Sequence, residues 1–185
     1  MQDTPRRATY ADVLAAPPNM VAEVIGGRLV TMPRPGRRQT RGASRLGVML
    51  GGPFDLGAGG PGGWWILDEP ELHLGEEILV PDLAGWQRER MPEIGDGAYF
   101  DLAPDWVCEV LSPSTARYDR GEKRDIYASC GVCHLWLMDV ERKLLEAFTL
   151  TGGKWLLDRV WKDDEEVAAA PFEAVPFRLG LLWGE

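Results

Sequence analysis

The sequence predicts an α/β protein, a mixed β-sheet flanked by helices, formed as one domain over residues 1–185. Strand-like apolar runs such as WVCEVL (106–111) and HLWLMD (134–139) are interleaved with helical stretches at 39–50 and 115–130. At 185 residues, 45% apolar and 26% charged, the chain is long enough for a substantial core and ordinary for a globular protein. No apolar run approaches the roughly 20 residues of a membrane helix, so no membrane association is expected.

The elements follow in order. ATYADVLAA (8–16) reads as a short helix with Thr9 as N-cap, ended by Pro17-Pro18. MVAEVIGGRLVTM (20–32) reads as a hairpin turning at Gly26-Gly27. Glu23 lies in its first strand, where a solvent-facing edge position is the plainer expectation. From Gln39 to Leu50, helical spacing sets Leu46, Val48, Met49 and Leu50 on a broad apolar side. Arg37, Arg38, Arg41 and Arg45 fall mostly opposite. The Arg41–Arg45 pair, four apart, is mutually repulsive, and a bound polyanion would relieve that cost.

GGPFDLGAGGPGG (51–63) is a long loop, and 64–86 reads as two or three strands, the last being ILVPDLAGW. Residues 87–104 form a polar loop, of a length that beside a site is often functional. WVCEVLS (106–112) is the clearest strand. Ser114 or Thr115 caps a helix running through Cys130, with Gly131 at its C-terminal turn. Residues 134–139 and 144–150 make a hairpin, and 154–161 pairs next after Gly152-Gly153. The acidic run at 163–167 and the closing PFEAVPFRLGLLW add a loop and a short last element.

The net charge of −9 is unevenly spread. Residues 1–65 hold eight Arg against four acids, a balance of +4, so the remainder carries −13. The Arg cluster at 34–45 is therefore a candidate contact for a phosphate backbone, although a merely solvated Arg-rich helix fits equally well. Three Cys make an odd count, and no apolar stretch follows the N-terminal arginines, so a reducing, cytoplasmic setting without a signal peptide is expected. Cys130 and Cys133 have C-x-x-C spacing, but the first ends a helix rather than opening one, which fits packing better than redox chemistry. Ser112 and Ser114 have no nearby His, and the glycines at 57–63 lack a following Lys-Ser/Thr, so neither a serine hydrolase nor a phosphate-binding P-loop is indicated.

Two acids stand where acids are costly. Glu109 lies inside an apolar strand, and Asp82 ends another apolar run. Alternation puts Val107, Glu109 and Leu111 on one face, and likewise Val80, Asp82, Ala84 and Trp86 on the upstream strand. If the two strands pair, Asp82 and Glu109 converge and can hold a divalent cation, with the backbone carbonyl of Val110 as a further ligand. Asp119, Lys123, Tyr127 and Cys130 share one helical face, from which Lys123 can point back toward the strand. These are the parts that phosphodiester hydrolysis needs.

The blocks VPDLAGW, PDWVCEVLSPST and DRGEKRDIYASCGVCHLWLMD, in that order, resemble the Uma-two family of "putative restriction endonucleases", within the PD-(D/E)XK nuclease superfamily. The resemblance implies a restriction-endonuclease-like core, a Mg²⁺ or Mn²⁺ cofactor and DNA as substrate. By it, Asp82 matches the PD aspartate, Glu109 the acid of the (D/E)XK strand, and Glu23 the early acid. Leu111 stands where the superfamily's usual Lys would be, and Lys123 matches a Lys moved to the next helix. Cys133 and His134 depart from the Pro and acid usual in that block. The implied activity is a metal-dependent endonuclease, with Asp82, Glu109, Lys123 and Glu23 catalytic and Arg37, Arg38, Arg41 and Arg45 on DNA. A homodimer suits cutting of two antiparallel strands. The alternatives are an inactive member serving as a nucleic-acid-binding or protein-interaction module, and a metal-dependent phosphodiesterase acting on RNA or a nucleotide.

Overall fold

The computed structural model describes residues 6–183. Residues 1–5, on which the signal-peptide expectation partly rests, and Asp3 of the charge balance lie outside the described residues. Two antiparallel hairpins open the chain. After helix α1 (Tyr10–Leu14), strand β1 (Met20–Ile25) turns through Gly26 and Gly27, at φ +57° and +74°, into β2 (Arg28–Pro33). Positive φ at both positions suits the twist of a two-residue hairpin and favours glycine. Later, β4 (Leu72–Leu74) turns into β5 (Glu77–Leu79), and β5 pairs with β1, giving a four-stranded sheet in the order β2-β1-β5-β4. Glu23 is therefore on an inner strand, and it is 0% exposed. The expected solvent-facing edge position is overturned because β5 covers the flank that the hairpin alone would leave open.

The second sheet is the main one. It has the order β10-β9-β8-β7-β6-β3, with β3 at Trp64–Asp68, β6 at Leu83–Gln87, β7 at Trp106–Val110, β8 at His134–Asp139, β9 at Leu144–Thr151 and β10 at Lys154–Lys162. Only β7 and β8 run parallel; the other neighbours are antiparallel, so the sheet is mixed as expected. The parallel pair needs a crossover, and α3 (Ala116–Asp119) and α4 (Glu122–Ser129) supply it. One continuous helix through Cys130 was expected. Gly121, at φ −115° and ψ −109°, interrupts it, a conformation in which a Cβ would meet the Arg117 carbonyl at 2.9 Å.

Each face of the main sheet carries a core. One gathers Leu83, Trp106, Cys108, Val110 and Trp136 with Leu46, Leu50 and Phe54 from helix α2 (Arg37–Leu50) and the helical turn after it, and with Phe172. The other gathers Ala84, Trp86, Val107, Leu111 and Leu135 with Tyr127. The small sheet joins this second core through Ile25, Val30, Leu72 and Leu79. The buried face of α2 is Gln39, Gly42, Leu46 and Leu50, whereas Val48 is 77% exposed. The expected apolar side was one residue too wide, because Val48 lies on the stripe that carries Arg37, Arg41 and Ser44. Strand β11 (Glu166–Val167), β12 (Phe177–Arg178) and α5 (Gly180–Trp183) close the chain.

Two further expectations change. ILVPDLAGW is not one strand: Val80, Pro81 and Asp82 form a crossing between β5 of the small sheet and β6 of the large one. Pro81 has no N–H to give a ladder, so the break falls where pairing is already lost. The loop at 87–104 leaves from the opposite end of β6 and does not line the acidic pocket. It is tied down, with Trp86 Nε1 donating to the Leu102 carbonyl at 2.9 Å, Trp65 Nε1 to the Met91 carbonyl at 2.8 Å, and Arg90 paired with Asp105 at 2.7 Å.

Candidate active site

The site lies at the seam between the two sheets. Register places Leu83 opposite Cys108 and Ala84 opposite Val107, so the same register carried one residue further sets Asp82 opposite Glu109. Asp82 sits in the crossing rather than in a strand, and its Oδ2 accepts the Val110 backbone N–H at 2.7 Å. That bond bridges the last position of β7 and fixes one carboxylate oxygen. Glu109 alternates onto the face it shares with Val107 and Leu111, as its place in WVCEV dictates.

Lys123 reaches this point from the first turn of α4. Its Nζ lies 2.8 Å from Glu109 Oε1, 3.0 Å from Glu23 Oε1 and 3.5 Å from Asp119 Oδ1. Lys123 and Glu109 are each 2% exposed. Glu23 arrives from the small sheet, where its Oε1 also accepts the Val80 N–H at 2.7 Å. Tyr127, one turn beyond Lys123, donates its hydroxyl to Glu109 Oε1 at 2.6 Å. Four sequence-predicted residues, Asp82, Glu109, Lys123 and Glu23, thus line one pocket together with Val110.

Electrostatics follow from this crowding. Burial pushes the Asp82 carboxyl up to about 7, against the pull of the Val110 N–H and Lys123. Burial likewise raises Glu109 well above the usual carboxylate range, and raises Asp119. Burial alone would lower Lys123, but Glu109 and Glu23 beside it hold the ammonium protonated. The pocket has one ammonium for four buried or nearly buried acids, and Glu23 Oε2 is buried without a hydrogen-bond partner. It is short of positive charge. Among the described residues, no three His, Cys, Asp or Glu side chains are gathered into a ready metal cage.

The arginines stand apart from this cluster. They ride on α2; Pro35, just before its N-cap, and Gln39, in its first turn, line the pocket. Arg38 pairs with Glu141 at 2.8 Å, and Arg45 donates to the Leu181 carbonyl. Arg37 and Arg41 are exposed, line a groove with Thr40, Ser44 and Val48, and have no polar partner among the described residues. Sequence reasoning missed Gln39 and Glu69 as pocket residues. Gln39 was legible in part, as the one polar residue on the buried stripe of α2; Glu69 was not, because a bend between strands carries no periodic signal.

Two carboxylates and a lysine thus meet at the end of β7, an inner strand of a mixed sheet flanked by helices, in a protein of α/β fold. The crystal structure described as "a putative nuclease belonging to DUF820 from Anabaena variabilis ATCC 29413" matches with a TM-score of 0.75, at 20% identity, over 95% of this chain and 97% of that one. A family model described as "Putative restriction endonuclease", Uma2, matches residues 8–179, and the chain belongs to that family. No curated protein matches. No helix among the described residues is long and apolar enough to cross a membrane.

Proposed function

We propose that the protein is a metal-dependent endonuclease that hydrolyses DNA phosphodiester bonds. The observation that carries this reading is the meeting of Lys123 Nζ with Glu109 Oε1 at 2.8 Å, in the pocket that also holds Asp82. The cluster's excess of acid over base, with Glu23 Oε2 unpartnered, fits a divalent cation. Asp82, Glu109 and the Val110 carbonyl would hold Mg²⁺ or Mn²⁺, a small set of protein oxygens that suits an ion keeping several waters. Such an ion, when bound, supplies a water of lowered pKa and polarises the phosphate.

The chain's own groups supply the rest. Lys123 holds its proton against burial because carboxylates surround it, so it can orient an attacking water and offset charge developing on phosphate. Glu23 anchors Lys123 from the small sheet, and Tyr127 fixes the rotamer of Glu109. The exposed Arg37 and Arg41 favour a polymeric anion over a free nucleotide. Cutting two antiparallel strands with one site per chain favours a homodimer, to be read from the solution mass by light scattering.

The test is cleavage of plasmid DNA with Mg²⁺ or Mn²⁺ by wild type and by Asp82→Asn. We expect wild-type nicking or linearisation, and a loss of about 10²-fold or more in the variant. Equal cleavage by Asp82→Asn would remove Asp82 from the site. No cleavage by wild type, with DNA still bound, would favour a binding module on the same fold.

A further inference from the structure

We infer that the first turn of α2, with the Gln39 side chain, is a phosphate-binding subsite beside the acidic pocket, built to hold a backbone phosphate of a polynucleotide. This rests on the nuclease reading, and it adds where the strand enters. Three observations combine. First, Gln39 is 7% exposed and lines the acidic pocket, yet its amide has no hydrogen-bond partner among the described residues. The amide is not among the fully buried unpartnered atoms, so it is open on the pocket side, where a ligand or water can meet it.

Second, α2 begins in a way that a helix without a ligand disfavours. Its N-cap is Gly36, with no side-chain hydrogen bond to the first turn, and that turn has no acid. It begins Arg37-Arg38 instead, positive charge at the positive end of the helix dipole. Unfilled backbone N–H groups, basic side chains and a free amide at one helix start suit a phosphate oxygen. Arg38 is drawn aside to Glu141, leaving Arg37 and Arg41 for neighbouring phosphates.

Third, the space is made by an absent side chain. A Cβ on Gly36 would lie 2.8 Å from Gln39 Oε1, so glycine permits the amide's position. The Gly36 backbone, at φ −68° and ψ 167°, is open to alanine, so Gly36→Ala moves the amide without straining the chain. Pro35 lines both the acidic pocket and the arginine groove, so the two adjoin at this turn. A strand lying along the arginines therefore passes Gln39 before it reaches Asp82 and Glu109.

The experiment measures binding and leaves cleavage out. A fluorescent DNA oligonucleotide is titrated, in EDTA, with the full chain as wild type, Gly36→Ala, Gln39→Leu and Asp82→Asn, the melting temperatures being recorded alongside. We expect the first two variants to bind about tenfold more weakly with unchanged melting, and Asp82→Asn to bind no more weakly than wild type. Thymidine monophosphate is expected to compete only at far higher concentration than an unlabelled oligonucleotide. Wild-type affinity in both α2 variants overturns the subsite, as does absence of DNA binding by wild type. Equal competition by the mononucleotide overturns the polynucleotide assignment. Plasmid cleavage is read separately, so failure of the nuclease reading and failure of the subsite are told apart.

Discussion

Asp82 is where local chemistry and protein environment conflict most. Its carboxyl is withdrawn from water and raised to about 7, although Val110 and Lys123 both favour the ionised form. In metal-free protein the folded chain then keeps a proton that the unfolded chain releases near pH 4. The folded state binds more protons across that window, so this contribution is complete below about pH 4 and is lost as pH rises through about 7. We expect the urea stability of wild type, relative to Asp82→Asn, to fall from acid to neutral pH in EDTA. A pH-independent difference would mean that Asp82 ionises as an exposed carboxylate does. Lys123 is the counterpart: a buried ammonium kept charged by Glu109 and Glu23, whose removal would leave acids facing each other.

At the scale of elements, α2 links the acidic pocket, which Gln39 lines, to the groove of Arg37 and Arg41. Its buried face fixes it to the main sheet, and its other face carries the arginines. Contact is closest at Gly42, where a Cβ would lie 2.8 Å from Val140 Cγ1 and 3.3 Å from Met138 Cε. Gly42→Leu is expected to destabilise the protein by about 1–3 kcal/mol through overpacking, measured by urea unfolding. An unchanged midpoint would mean that the helix rides loosely on the sheet. The crossover behaves differently. Asp119, Lys123 and Tyr127 were expected on one continuous helix face, and they do converge on the pocket, but across a break at Gly121. Asp119 and Lys123 stay together across that break, 3.5 Å apart.

Across the whole molecule, a chain of net charge −9 presents a basic stripe beside an acidic pocket. Each phosphate contacted by an arginine adds about 0.9 to the salt dependence of duplex binding. Arg37→Ala with Arg41→Ala is expected to lower that slope by about 2, read from affinities over a range of salt. A slope equal to that of wild type would put the DNA path elsewhere. What the sequence by itself determined is local: the hairpin at Gly26-Gly27, the strand around Glu109, the Gly131 helix end, and a helical face from which Lys123 can point back toward that strand. Alternation and helical spacing follow from backbone geometry, which any short window of residues exposes. Only the tertiary structure decided that Glu23 is buried, that Val80–Asp82 crosses between sheets, and that the 87–104 loop lies away from the pocket. Those outcomes depend on which strands become neighbours, and strand neighbours are chosen by burying apolar faces far apart in the chain. Glu23 is the clearest case: its own hairpin leaves it open to water, and β5, more than fifty residues later, closes it in against Lys123.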